Sequence, residues 1–272
     1  MPADSAPDAN LSPKLLALKQ EAERRLAEWQ ATGRGLGASS LADAVVFCSS
    51  GLGDLHRHDT EIICFVTGGN DDFQRTIMNL DTARFFDDPA TCIASDAENL
   101  LLLANPVLPR SRGEIVLDSA DTGVQPAIRM NYYADPHDIK VMVAAIRRTI
   151  EIAARWPGNR KLGPLMVPPF LAEKHGYQPG AAPSDALLED FALHFSLTVY
   201  HPTSTCRIGD VVDPQLRMKS VDKLRVADAS VMPAVIGGNT NAPSIMIGEK
   251  AAEMIAVDHG VKLREFVGEQ PA

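Results

Sequence analysis

The sequence predicts an α+β fold, an antiparallel sheet with helices on one face. Short runs rich in β-branched and aromatic residues follow one another between Gly and Pro turns from residue 61 to 132. A strong amphipathic helix pattern comes only after them, and strands in series followed by helices place the helices on one face of a sheet. After Tyr200 the character changes: a strand-like run, a glycine-bearing loop and a last helix stand in sequence.

The elements are read in order. Residues 1–10, MPADSAPDAN, are polar with two prolines and read as a disordered start without a signal-peptide core. Ser12 and Pro13 open the first helix, Leu15, Leu18, Ala22, Leu26 and Trp29 form its apolar face, and Gly33 stops it. From Gly33 to about Thr60 the chain reads as loop. Its Gly33-Arg34-Gly35-Leu36-Gly37 run follows a charged helix instead of a hydrophobic strand, so it reads as a connector and not as a phosphate cradle. Strand-like runs are Glu61 to Thr67, Asn99 to Ala104, Gly113 to Asp118 and Ala127 to Tyr132. Asp135-Pro136 opens a helix with Ile139, Met142, Val143, Ile146, Ile150 and Ala153 as its buried stripe, ended by Pro157-Gly158. Another helix spans Ser184 to about His194. Leu224 to Ala227 reads as a strand, and Asn241-Ala242-Pro243 opens a final helix ending at Gly260.

Composition narrows the function classes. The chain has 272 residues, 45% apolar and 22% charged, ordinary for a globular protein. A formal charge of −9 argues against a nucleic-acid partner, and the Arg147-Arg148 pair reads as a solvated helix face. Cys48, Cys64, Cys92 and Cys206 contain no CxxC pair, so they read as reduced thiols of a cytoplasmic protein. His56 and His58 with Asp54 and Asp59 match no established ligand spacing, and no metal is expected. The longest apolar stretch, Leu100 to Leu108, is too short to span a bilayer, which leaves only peripheral membrane attachment open.

Chemistry concentrates in two segments, Tyr200-His201-Pro202-Thr203-Ser204-Thr205-Cys206-Arg207 and Asp228-Ala229-Ser230-Val231-Met232-Pro233, the latter running on to Gly237-Gly238-Asn239-Thr240-Asn241-Ala242-Pro243. On residue types alone this is a candidate base near a helix-terminus site. With Val212-Asp213-Pro214, Leu216-Arg217, Leu224-Arg225-Val226-Ala227 and Ile247-Gly248-Glu249-Lys250-Ala251-Ala252, the segments resemble the C-terminal signature of the glucose-methanol-choline (GMC) oxidoreductase family. Pro109 to Gly113 and Ile128 to Pro136 resemble the same family's substrate-domain sheet.

The resemblance implies flavin-dependent oxidation of a small-molecule alcohol to an aldehyde with FAD as cofactor. His201 would accept the hydroxyl proton, Asn239 would hold the oxygen, and hydride would pass to flavin N5. Backbone groups at Asn241, Ala242 and Pro243 would face the flavin's pyrimidine edge; Tyr200, Asp228 and Ala229 would also line the cofactor. It implies a substrate domain over 11–199 and, over 200–272, the closing strand and helix of an incomplete FAD-binding domain. The variants at these motifs lean toward choline and aliphatic alcohol dehydrogenases.

Two departures stand out. Ser204 occupies a place where the family often has glycine. The strand, GxGxxG turn and helix that bind the adenine dinucleotide have no counterpart in the 272 residues. The expectation is therefore a split or truncated enzyme, completed by a partner polypeptide that supplies the nucleotide-binding half. The alternative is a non-catalytic remnant or substrate-domain binding module without cofactor.

Overall fold

The structure, a computed structural model, describes residues 13–35, 38, 42–54, 56–65, 101–156, 165 and 167–262. The expectations at residues 1–10, Ser12, Leu36, Gly37, Thr67, Cys92, Asn99 and Pro157-Gly158 lie outside these. Helix α1 spans Pro13–Thr32 and stops where predicted: Gly33 takes φ 65° and its N–H reaches the Trp29 carbonyl at 2.7 Å. Two residues of the predicted apolar stripe, Leu26 and Trp29, are 49% and 42% exposed, so the C-terminal half of that face is not buried.

Three strands form the main sheet in the order β1-β2-β3: β1 Ala42–Cys48, β2 Thr60–Phe65 and β3 Leu101–Pro106, with both pairings antiparallel. β1 corrects the reading of 33–60 as loop. Val45, Val46 and Phe47 have strand propensity, but the glycines on either side obscure it, and pairing with β2 decides the outcome. A small hairpin of β4 Glu114–Val116 and β5 Ala127–Arg129 forms a second antiparallel sheet. Here the chains touch closely: a Cβ on Gly113 would sit 2.5 Å from the Arg129 carbonyl oxygen, so only glycine fits. β5 ends before the predicted Tyr132 because Asn131 and Tyr133 adopt φ 51° and 60°, which breaks the extended run.

Helix α2, Pro136–Ala154, begins where Asp135 accepts a hydrogen bond from the His137 N–H. It packs on β3, β2 and α4, Asp185–Phe195, which Ser184 caps through the Leu187 N–H at 3.2 Å. Ile139, Val141 and Ala145 of α2, Leu187, Leu188 and Ala192 of α4, and Ile62 and Ile63 of β2 are buried in these layers. Helix α3, Pro169–His175, was not anticipated; its start is hidden in a Pro-Pro pair. It packs on α4, where Lys174 and His175 both engage Asp190.

Asp138 joins the sheet region to α2. Burial pushes its carboxyl up, but the Arg110 and Ser111 N–H groups, at 2.8 and 2.7 Å, outweigh burial and hold it below the usual range.

The C-terminal part has its own cluster of buried Val212, Leu216, Val231, Met232, Ile247 and Ala251. Within it, Leu224 to Ala227 makes one isolated bridge, Arg217 to Arg225, where a strand was expected. A 3₁₀ turn, Ala229–Val231, leads toward helix α5, Asn241–Asp258.

Candidate active site

Two segments far apart in sequence are laced together. The N–H groups of Ser204, Cys206 and Ile208 bond to the carbonyls of Ala229, Ser230 and Val231 at 3.4, 2.9 and 2.9 Å. This sets the His201 segment beside the chain leading to α5. Asp228 caps the 3₁₀ turn, accepting the Ser230 N–H at 2.8 Å. Ser204 takes φ 72°, a left-handed conformation that suits glycine, which gives the expected glycine at this position its physical reason.

His201 and Asn239 are brought into contact. Asn239 Nδ2 lies 3.0 Å from His201 Nε2, and Thr240 Oγ1 lies 3.0 Å from His201 Nδ1. An amide nitrogen can only donate, so Nε2 is the acceptor and the neutral imidazole carries its proton on Nδ1, donating to Thr240. The acceptor lone pair is thereby held on the nitrogen beside Asn239. Thr240 sits at the N-cap of α5 but makes no side-chain capping bond, its hydroxyl being used by His201; it is buried at 8% exposure. Sequence reading missed it, although a hydroxyl directly after Asn239 was the available signal.

Asn241, Ala242 and Pro243 form the first turn of α5, next in the chain to Asn239, with Asn241 and Ala242 exposed. A helix start leaves its first amide groups without intrahelical partners and carries about half a positive charge, which fits a flavin edge that gains negative charge on reduction. Tyr200, at φ 62° and 64% exposed, faces a different feature: with Met130, Tyr132, Thr198 and Pro202 it lines an open apolar depression of about 480 Å³. Asp54 and Asp59, considered beside His56 and His58, serve turns. Asp54 accepts the His56 N–H at 2.9 Å, and Asp59 accepts the Ser50 N–H and hydroxyl at 2.6 and 2.5 Å.

A second residue absent from the sequence reading is Glu61, on β2, 2% exposed. Burial pushes its carboxyl up, against the pull of His201.

Residues 109–248, just over half the chain, match the GMC oxidoreductase family. The chain is 43% identical over 157 residues to an alcohol dehydrogenase (acceptor) of Pseudomonas putida, covering 55% of this chain and 26% of that protein. It is 41% identical over 165 residues to choline oxidase of Arthrobacter globiformis, covering 57% and 28%. Formate oxidase of Aspergillus oryzae superposes with a TM-score of 0.65 at 24% identity, covering 88% of this chain and 42% of that one, which shows the shared fold. The chain belongs to the GMC oxidoreductase family, a family of FAD-dependent oxidoreductases. It spans 26% and 28% of the length of these two relatives. Among the described residues, no helix is long and apolar enough to cross a membrane.

Proposed function

We infer that these residues carry the proton-handling part of a flavin-dependent alcohol oxidation. The contact of His201 Nε2 with Asn239 Nδ2 at 3.0 Å carries the reading. A substrate hydroxyl oxygen would replace that direct contact, giving its proton to Nε2 while accepting a hydrogen bond from Nδ2. The O–H bond breaks, Nε2–H forms, and the carbinol carbon loses hydride to become the aldehyde. Thr240 holds the tautomer that leaves Nε2 basic, and a neutral amide at Asn239 steadies the oxygen without competing for its proton. Bound FAD supplies the hydride acceptor; the first turn of α5 at Asn241, Ala242 and Pro243 would face its pyrimidine edge.

In this reading residues 11–199 serve as substrate domain and 200–272 as the C-terminal part of the flavin domain. The adenine-nucleotide half of the cofactor would be held by a partner polypeptide. The names of the relatives, an alcohol dehydrogenase and a choline oxidase, favour an alcohol such as choline as substrate. The test is a visible absorption spectrum of the purified chain, alone and after co-expression with the product of the neighbouring upstream reading frame. Flavin absorption that appears only with the partner is the expected result. Colour in neither sample would leave the chain without cofactor and overturn the reading.

A further inference from the structure

Across the main sheet, Phe47, Glu61 and Asn105 stand directly opposite one another, one on each strand. Directly opposed residues of antiparallel strands point to the same face. The Phe47 ring identifies that face: it lies 3.9 Å from where a Cβ on Gly238 would be, against the loop that carries Asn239. The carboxyl of Glu61 is therefore on the sheet face that meets the Gly238 loop, and it feels the charge of His201.

Its bonding state is unlike that of the other carboxylates that could matter. Asp59 is bonded to Ser50, Asp138 to the Arg110 and Ser111 amides, Asp190 to Lys174 and His175, and Asp258 to Arg217 and Arg225. Glu61 Oε1 and Asn105 Nδ2 are both buried without a hydrogen-bond partner. An unpaired buried polar atom is costly, so its retention calls for an explanation. Phe47 from β1 and Asn105 from β3 carry no charge, and the ionisable group that acts on the carboxyl is His201.

We propose that Glu61 is a positioning residue for His201, a buried carboxyl whose ionised form offsets the positive charge that the imidazole takes on when it accepts the alcohol proton. The proposal rests on His201 being that acceptor. With His201 neutral, burial raises the carboxyl's hold on its proton. When the imidazolium forms, its pull favours the carboxylate. Glu61 takes no substrate proton, since that proton goes from the alcohol oxygen to Nε2.

The test has two parts, the first needing no flavin. Carboxyl ¹³C NMR of the 272-residue chain follows the titration of Glu61 in the parent and in His201→Asn. Glu61 is expected to titrate above the ordinary glutamate range, and higher still in His201→Asn, where the opposing pull is gone. A titration in the ordinary range, or one indifferent to His201, overturns the proposal and leaves the flavin-dependent reading standing. The second part uses the flavin-loaded enzyme. Glu61→Gln, nearly isosteric but unable to ionise, should lower kcat about tenfold with little change in KM and alter the pH profile of kcat. A rise in KM with kcat unchanged would assign Glu61 to substrate binding and overturn the proposal.

Discussion

Thr240 stands where a helix ordinarily takes a capping bond, and its hydroxyl is instead turned on His201 Nδ1. With valine there, Nδ1–H loses its acceptor and the imidazole loses its preference for the tautomer that leaves Nε2 basic. Thr240→Val should therefore lower turnover of the flavin-loaded enzyme about fivefold, in keeping with the roughly 1 kcal/mol of one hydrogen bond. Flavin content should not change; full activity would mean that another group fixes the ring. Residue types alone marked His201 as a candidate base beside Pro and hydroxyls, whereas Asn239 came from the family resemblance, since asparagine among glycines reads as a turn. Thr240 was hidden because Thr before a helix already has a structural explanation as a cap. Glu61 was hidden because, in a strand-like run, a lone carboxylate reads as solvent-facing, and only the register across three strands reveals that both its neighbours cover it.

At the scale of elements, α5 is held at both ends. Its start meets His201, and near its end Asp258 receives Arg217 and Arg225 at 2.7 and 2.5 Å. Hydrogen bonds from Arg217 first and Arg225 second hold the Asp258 carboxyl at about 2. An unfolded aspartate titrates near 4, so this group is depressed in the folded state. Its contribution is present above about pH 4 and is lost as pH falls toward 2. Amide hydrogen exchange in the last turn of α5 should accelerate over that window, and Asp258→Asn should remove the pH-dependent part of the change. Equal acid sensitivity in the variant would show that other carboxylates control the helix end. Helices α2 and α4 were legible because their caps, Asp135 and Ser184, and their apolar spacing agree. β1 was not, because its pairing partner lies 12 to 23 residues on and the intervening glycines and aspartates look like loop. The 224–227 run has strand composition, yet it is packed as an irregular connection over the Val212–Leu216 cluster.

The whole molecule shows two apolar surfaces that local pattern did not specify. β1 leaves Val45, Val46 and Phe47 at 43%, 43% and 41% exposure, and α5 leaves Ile245 and Met246 at 59% and 58%. Val45, Val46 and Phe47 fall in a run that reads as loop, and for α5 periodicity records which face is apolar and not what covers it. The sheet, its helices and the juxtaposition of two distant segments form one arrangement in which a basic nitrogen, an amide donor and a helix start are adjacent. The central claim is that this arrangement takes a proton from an alcohol during flavin reduction. The most direct measurement is anaerobic single-turnover reduction of the bound flavin by an alcohol, followed by stopped-flow absorbance, in the parent and in His201→Ala. A positioned base contributes about 10²- to 10⁴-fold, so the variant should reduce its flavin slower by that factor with flavin content unchanged. Reduction at the parent rate in His201→Ala would contradict the account.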